Sequence, residues 1–323
     1  MSRSIKLAEA LSKKEASDEE LRRADKTIWY KIDDKLLSSK ILNLYHPLTI
    51  DNETQEFLNN SMELSNNVFW QMFYSISIGM LSIFTTKTNI NGILDRGRMH
   101  VFSTGQLYDF LQLPNDWDSS QKTVLDLGAG DGMVTKKLSV YYNNVYATEM
   151  SNVMRWRLKQ KGFNIIDAEE WYKNDIIKNV DLISVLNLLD RHYNPSLLLS
   201  QLHEASLKSG AKILMAIVLP IKQYVEFHPS NNKNTPDSSV SVKGHTFEEQ
   251  VESMINDIFT PLNFKVIRFS KAPYLCEGDH VKGYYRLTDA LFLLEAVNGL
   301  NNNMDNTIEN NFDNDRTIER QEL

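Results

Sequence analysis

The sequence predicts an α/β fold: a mostly parallel seven-stranded sheet with helices on both faces, preceded by a helical N-terminal region. Three observations carry this. Residues 123–132 read T-V-L-D-L-G-A-G-D-G, a short apolar strand that stops at a side-chain-poor turn and opens onto a helical pattern. Beyond it, apolar runs of strand length alternate with helical stretches, as they do where crossover helices join parallel strands. Residues 211–218 (AKILMAIV) are almost wholly apolar, as a strand buried on both faces requires.

The elements follow in order along the chain. Residues 1–26 form a polar, partly helical extension. A helical region over 27–120 is too apolar to be a linker and is expected to pack on the core. Within it, Ser61 or Asn60 caps a helix running through 69–84, residues 91–99 make a glycine-bearing loop, and Ser103 caps a short helix over 106–111. The core domain, 121–297, starts with the strand at 123–127 and a helix at 133–141. Strand 145–148, helix 153–161 and strand 163–166 follow. A strand at 180–186 leads to a helix that begins near Pro195, at a first-turn position. After strand 211–218, residues 229–246 are a Pro/Ser/Asn-rich insertion expected to be mobile. A helix over 247–262 and strands at 264–269 and 284–294 complete the domain. The tail, 298–323, is rich in Asn and Asp, and a disordered segment is expected there.

Bulk properties narrow the function. The 323 residues suffice for one large domain or two small ones. A net charge of −7 argues against a phosphate-backbone binder, so no nucleic-acid partner is expected. Cys276 is the single cysteine, which excludes an internal disulfide and a Cys-rich zinc site. The histidines lack metal-ligand spacing such as H-E-x-x-H, and no metal is assigned. The most apolar stretch, 69–84 (FWQMFYSISIGMLSIF), falls short of the ~18 residues a membrane span needs. It reads as a buried helix, with a membrane-skimming role as the alternative. The first 26 residues are charged throughout and lack the apolar core of a secretory signal. A cytoplasmic monomer is expected, with peripheral endomembrane association left open.

The chemistry centres on the 123–132 turn. Its glycines let backbone approach a ligand closely, and a strand-to-helix turn is expected to aim free N–H groups at it. A dinucleotide-binding turn has the form G-x-G-x-x-G. Here glycines stand at 128, 130 and 132, position 133 is Met, and Asp126 precedes the first glycine. The strand at 145–148 ends in Glu149, where an acid can accept both hydroxyls of a ribose. Together the two features favour an adenosine-containing ligand.

Two further segments bring candidate substrate groups. The strand at 180–186 ends in L-N-L-L-D-R (186–191), placing Asn187 and Asp190 at the ligand-binding end of the sheet to orient a nitrogen. The competing reading is that both residues cap the following turn and helix. Residues 273–279 (PYLCEGD) carry Glu277 and Asp279 in a glycine turn. Tyr284 and Tyr285 follow, and the group could line a pocket for a basic or imidazole-like group.

Residues 126–132 resemble motif I of class I S-adenosylmethionine (SAM)-dependent methyltransferases, which share a Rossmann-like fold. Further stretches widen the likeness: FLNNS (57–61), INGILDRG (90–97), VFS (101–103), YATE (146–149), LNLLDR (186–191), VLP (218–220), YVE (224–226) and PYLCEGD (273–279) with Tyr284-Tyr285. Over about residues 57 to 295 the chain resembles the DREV family, methyltransferase-like proteins that methylate protein histidine.

That resemblance implies SAM as cofactor, S-adenosylhomocysteine as product, and protein or peptide substrates containing His-x-His. Methyl would pass to the Nδ1 (pros, N1) nitrogen. On this reading Asp190, Asn187 and Tyr285 are catalytic. Cofactor contacts fall to Asp126, Gly128, Ala129, Gly130, Glu149, Met150, Asp167, Ala168, Glu169 and Asn187. Arg191, Glu277, Asp279, Tyr284 and Tyr285 join Asn187 and Asp190 on the substrate. A class I methyltransferase acting on another side chain or a small imidazole compound, and a non-catalytic SAM-binding scaffold, stay open as alternatives.

Overall fold

The computed structural model describes residues 3–229 and 233–299. Its centre is an eight-stranded sheet: β1 (Met99–His100), β2 (Thr123–Leu127), β3 (Asn144–Thr148), β4 (Asn164–Ile165), β5 (Leu182–Leu186), β6 (Lys212–Val218), β7 (Phe264–Glu277) and β8 (Tyr284–Ala296). The strands lie in the order β1-β7-β8-β6-β5-β2-β3-β4. Strands β6, β5, β2, β3 and β4 pair parallel, while β8 runs antiparallel to both β6 and β7. The predicted α/β class holds. The eighth strand, a two-residue edge on β7, is too short to leave any periodicity in the sequence.

Side-chain alternation builds the two packed faces. Ile213, Met215 and Ile217 of β6 join one core cluster, and Leu214 and Ala216 the other. Strand β8 divides likewise, with Phe292 and Leu294 on one face and Leu291 and Leu293 on the opposite one. Helix α9 (Pro195–Ser209), helix α10 (Phe247–Ser253) and the π-helical turn Met254–Phe259 cover the first face through Leu198, Leu202, Val251 and Phe259. Helix α3 (Asn52–Asn66), helix α6 (Thr104–Leu111) and helix α7 (Thr135–Leu138) cover the second through Leu58, Leu107, Phe110 and Leu138. Each such side chain contributes about 1.5–3 kcal/mol when fully buried, which is why the strands tolerate so few polar residues. Helix α2 (Ser39–Leu42), helix α5 (Lys87–Leu94) and helix α8 (Asn152–Gln160) complete the layers.

Several expectations change. The single helix expected through 69–84 is two, α3 and α4 (Val68–Leu81), broken at Asn67. Asn67 Oδ1 accepts the Trp70 N–H at 3.2 Å and is the cap. Ser61 lies inside α3, where its hydroxyl donates to the Gly283 carbonyl and accepts the Gly278 N–H, both at 2.8 Å. Helix α4 is not buried: Phe69 is 77% and Met80 64% exposed, and only Gln71 and Tyr74 of the helix are buried. Apolar composition marks a helix but not which side is covered. Among the described residues no helix is long and apolar enough to cross a membrane.

The segment 273–277, expected as a turn, is the end of β7. It pairs with β8 from Pro273↔Thr288 to Glu277↔Tyr284, and the turn is 278–283. Pro273 sits before the stretch that β1 covers, at a free edge where a missing N–H is tolerated.

The N-terminal helix α1 (Arg3–Arg23) clasps this turn from outside. Asp18 accepts the Gly283 N–H at 2.8 Å, Lys14 bonds both Asp18 and Asn66, and the Tyr284 hydroxyl donates to the Leu21 carbonyl. Helices α1 and α3 thus set the position of the loop that borders the site. Of the insertion expected at 229–246, residues 230–232 lie outside the described residues and 233–246 carry no helix or strand. The tail expected to be disordered lies outside the described residues from 300 onward.

Candidate active site

The carboxyl ends of the parallel strands open into one cavity of about 1000 Å³. The antiparallel β8 begins at the same end, where β7 finishes, so the 278–283 turn forms a wall. From the other side α4 contributes Gln71, Ser75 and Ile78. Two of these three are polar, while Phe69, Met72, Phe73, Ile76 and Met80 of the same helix are exposed.

The glycine loop forms the floor. Gly130 has φ 56°, a left-handed backbone that disfavours any side chain, and a Cβ there would meet nothing within 4 Å. Most of the loop N–H groups expected to be free are already bonded within the protein, Asp131 being the exception among residues 128–133. Gly128 and Ala129 donate to Thr148, Gly130 to Glu149, and Met133 to Asp131. Helix α7 is only four residues long and starts beyond the loop. What the loop offers is chiefly open backbone, with few free donors. Among the described lining residues seven are acidic, from Asp131 to Asp279, and three are Lys or Arg. Such a wall suits a cation and repels a pyrophosphate.

Glu149 stands between loop and strand. Its Oε2 accepts from Gly130 at 2.9 Å and its Oε1 from Ser151 at 2.8 Å, while burial raises its pKa. Each oxygen keeps further acceptor capacity, and the residue lines the cavity.

At the end of β5, Asn187 takes φ 53°, a left-handed position that asparagine tolerates better than most residues. Its N–H donates to the Ala216 carbonyl at 2.9 Å. Its Nδ2 donates to Asp289 Oδ2 at 3.0 Å, and its Oδ1 is buried without a hydrogen-bond partner. Asp190 follows, with Oδ2 3.6 Å from the Arg191 Nε and Oδ1 also buried and unpartnered. Burial pushes the Asp190 pKa up to about 6. Neither side chain accepts a backbone N–H of the following helix; Asn194 caps α9. Asn187 Oδ1 and Asp190 Oδ1 thus join Gln71 Oε1 and Glu277 Oε1 as buried acceptors of cavity-lining residues without a hydrogen-bond partner in the protein.

Gly128, Gly130, Glu149, Met150, Ala168, Glu169, Asn187, Asp190, Arg191, Glu277, Asp279 and Tyr285 all reach this cavity. Tyr285 donates to both carboxylate oxygens of Asp279. Glu277 is held by Arg96, whose Nε lies 3.6 Å from Oε1 and whose guanidinium covers the Tyr74 ring. Glu277 Oε1, like Asp190 Oδ1, is buried without a hydrogen-bond partner.

Four expected residues stand elsewhere. Asp126 is 2% exposed, and its oxygens take the hydroxyls of Thr135 and Ser184, so it pins the loop from beneath. Burial pushes its pKa up to about 6. Asp167 accepts the N–H groups of Glu169 and Glu170 in its own turn. Ala129 is tied to Thr148. Tyr284 is 2% exposed, packed edge-on to Trp29 on the far side of the hairpin from its neighbour Tyr285. Alternation along a strand sends adjacent tyrosines to opposite faces.

Several contributors escaped the sequence reading: Gln71, Arg96, His192, Tyr193, Glu226 and Tyr274 line the cavity, and Asp289 stands behind Asn187. Asp289 left a signal, a lone carboxylate inside the apolar run of β8.

Comparison with known proteins follows the same lines. The family model described as DREV methyltransferase matches residues 29–296. Among solved structures, a SAM-dependent methyltransferase from Anabaena variabilis ATCC 29413 aligns with 9% identity and TM-score 0.42, over 65% of this chain and 92% of that one. The YcgJ protein from Bacillus subtilis aligns with 11% identity and TM-score 0.37, over 61% and 98%. Similarity this distant adds no detail about the site.

Proposed function

The chain belongs to the DREV methyltransferase family, and we propose that it transfers a methyl group from SAM to the Nδ1 nitrogen of histidine in His-x-His segments of proteins or peptides. The observation that carries this reading is the pair of buried, unpartnered acceptors, Asn187 Oδ1 and Asp190 Oδ1, in the same cavity as Gly130 and Glu149.

SAM supplies an electrophilic methyl carbon on a sulfonium. Glu149 would hold the ribose hydroxyls, Gly130 leaves room for the cofactor against the loop, and the acidic wall favours its positive charge. Ala168 and Glu169 border the adenine side. The protein's own task is to present a neutral nitrogen in line with that carbon, and positioning supplies most of the gain.

An imidazole titrates near pH ~6.5, so a neutral fraction is at hand without a strong base. Asp190 accepts the Nε2–H of the ring. That bond selects the tautomer whose Nδ1 lone pair is bare and stabilises the positive charge that develops on the ring. Asn187 Oδ1 accepts a second N–H from the ring's peptide neighbourhood. Tyr285, braced by Asp279, borders the ring.

The test is methyl incorporation from labelled SAM into a His-x-His peptide, with the modified atom identified by mass spectrometry. No incorporation by wild type, or incorporation unchanged by Asp190→Ala, would overturn the mechanism. Labelling of a different side chain in a lysate would move the reading to another nitrogen acceptor.

A further inference from the structure

We propose that Asp289 is the positioning residue of this site, holding the Asn187 amide by its NH2 side so that the Asn187 carbonyl stands as a fixed acceptor beside Asp190. The inference deepens the methyl-transfer reading and rests on it. Asp289 is fully buried in the middle of the sheet, paired with Val218 of β6 and Ala272 of β7. A carboxyl there destabilises the fold relative to an apolar side chain of similar size, so packing does not explain it. Its Oδ2 takes the Asn187 Nδ2 hydrogen at 3.0 Å, and its Oδ1 has no hydrogen-bond partner.

Asn187 is thereby tethered twice. Its backbone N–H is fixed to β6 through Ala216, and its side chain to β8 through Asp289. Without the second tether the amide could turn over and offer NH2 where a substrate N–H must bind, replacing an acceptor with a donor. Burial and the charge of Asp190 raise the Asp289 pKa, opposed in part by the Asn187 bond. Burial raises the Asp190 pKa to about 6. Tyr274 and Cys276 face Asp289 from β7, and Arg191 lies beside Asp190. The consequence is a site with two fixed acceptors, which selects a substrate edge bringing two N–H donors, as a neutral imidazole and an adjacent peptide N–H do.

The experiment measures methyl transfer from labelled SAM by Asp289→Asn, Asp289→Ala, Asp289→Val, Asn187→Ala and the double variant D289A/N187A. All are compared with wild type on one acceptor, whichever the wild-type protein labels. A wild type that labels no histidine overturns the histidine reading and leaves these ratios intact. Asp289→Asn retains an oxygen to accept from Asn187 and is expected to keep kcat within about threefold, whereas Asp289→Ala loses about tenfold or more through misplacement of Asn187. Asp289→Val suits an apolar strand and keeps the test open should the alanine variant fold poorly. SAM affinity by calorimetry is expected within about twofold of wild type in every Asp289 variant that acts only through Asn187. In the Asn187→Ala background, Asp289→Ala is expected to change kcat by less than about twofold. Equal losses for Asp289→Asn and Asp289→Ala, an unchanged kcat in both Asp289→Ala and Asp289→Val, or losses that multiply in the double variant would each overturn the assignment.

Discussion

Glu149, at the tip of β3, accepts the backbone N–H of Gly130 at 2.9 Å, so the acid of the second core strand is bound to the glycine loop of the first. The loop's shape and the carboxylate's orientation are therefore one feature. Removing the carboxylate frees two backbone donors and takes away the proposed ribose contact. Glu149→Ala is expected to raise the SAM dissociation constant by about 10- to 100-fold, or about 1.4–2.7 kcal/mol. Isothermal calorimetry checks it; unchanged affinity would remove Glu149 from the cofactor site.

Asp190 acts in its ionised form, and its pKa is pushed up to about 6. Activity should therefore fall as pH drops through 6, and the substrate imidazole protonates over the same range. With both groups titrating, log(kcat/KM) should approach a slope of two against pH in the acid limb. Asp190→Asn should leave a slope of one and lower kcat by about 100-fold or more. Initial rates between pH 5 and 8 decide it.

Burial raises the pKa of Asp126 to about 6 and of Asp289 to about 8. Both groups ionise in the unfolded chain near the ordinary carboxylate value of 3.8, so between that pH and the raised values the folded state binds more protons. Their contribution to stability is greatest below pH 3.8 and is lost as pH rises through 6 and then 8. Each group removes at most about 1.4 kcal/mol per pH unit across its window. Urea unfolding of the cofactor-free protein should show lower stability at pH 8 than at pH 6. Asp289→Asn should flatten that slope; an equally steep slope in the variant would refute the assignment.

Gly130 and Gly132 separate binding from folding. Both have positive φ, but a Cβ at Gly132 would lie 2.7 Å from Leu158 Cδ2 and 3.1 Å from Phe163, whereas at Gly130 it meets open cavity. Gly132→Ala is expected to destabilise the fold by about 1–3 kcal/mol through strain and overpacking. Gly130→Ala should cost about 1 kcal/mol of strain and act mainly on SAM affinity, where the new methyl intrudes. Thermal melts with and without SAM distinguish the two.

Much of the fold was legible because strand and helix periods are local properties. The alternation from 123 onward located every strand of the core except the two-residue β1. Local signals also misled in instructive places. The strand expected over 264–269 runs on to Glu277, because the pairing with β8 that carries it past Pro273 is a long-range contact. The apolar stretch at 69–84 marked α4 correctly as helix, yet its exposure depends on what packs beside it.

Sequence alone determined the glycine loop, the acid after β3 and the Asn187–Asp190 pair, because each is a short-range pattern at a strand end. Only the tertiary structure decided what each residue faces. It turned Asp126 under the loop toward Thr135 and Ser184, sent Tyr284 to the core while Tyr285 reached the cavity, and placed Asp289 behind Asn187 across a gap of 102 residues in the chain. Hydrogen-bond partners and burial are set by strand register and layer packing, which join residues far apart in sequence, so no local pattern encodes them.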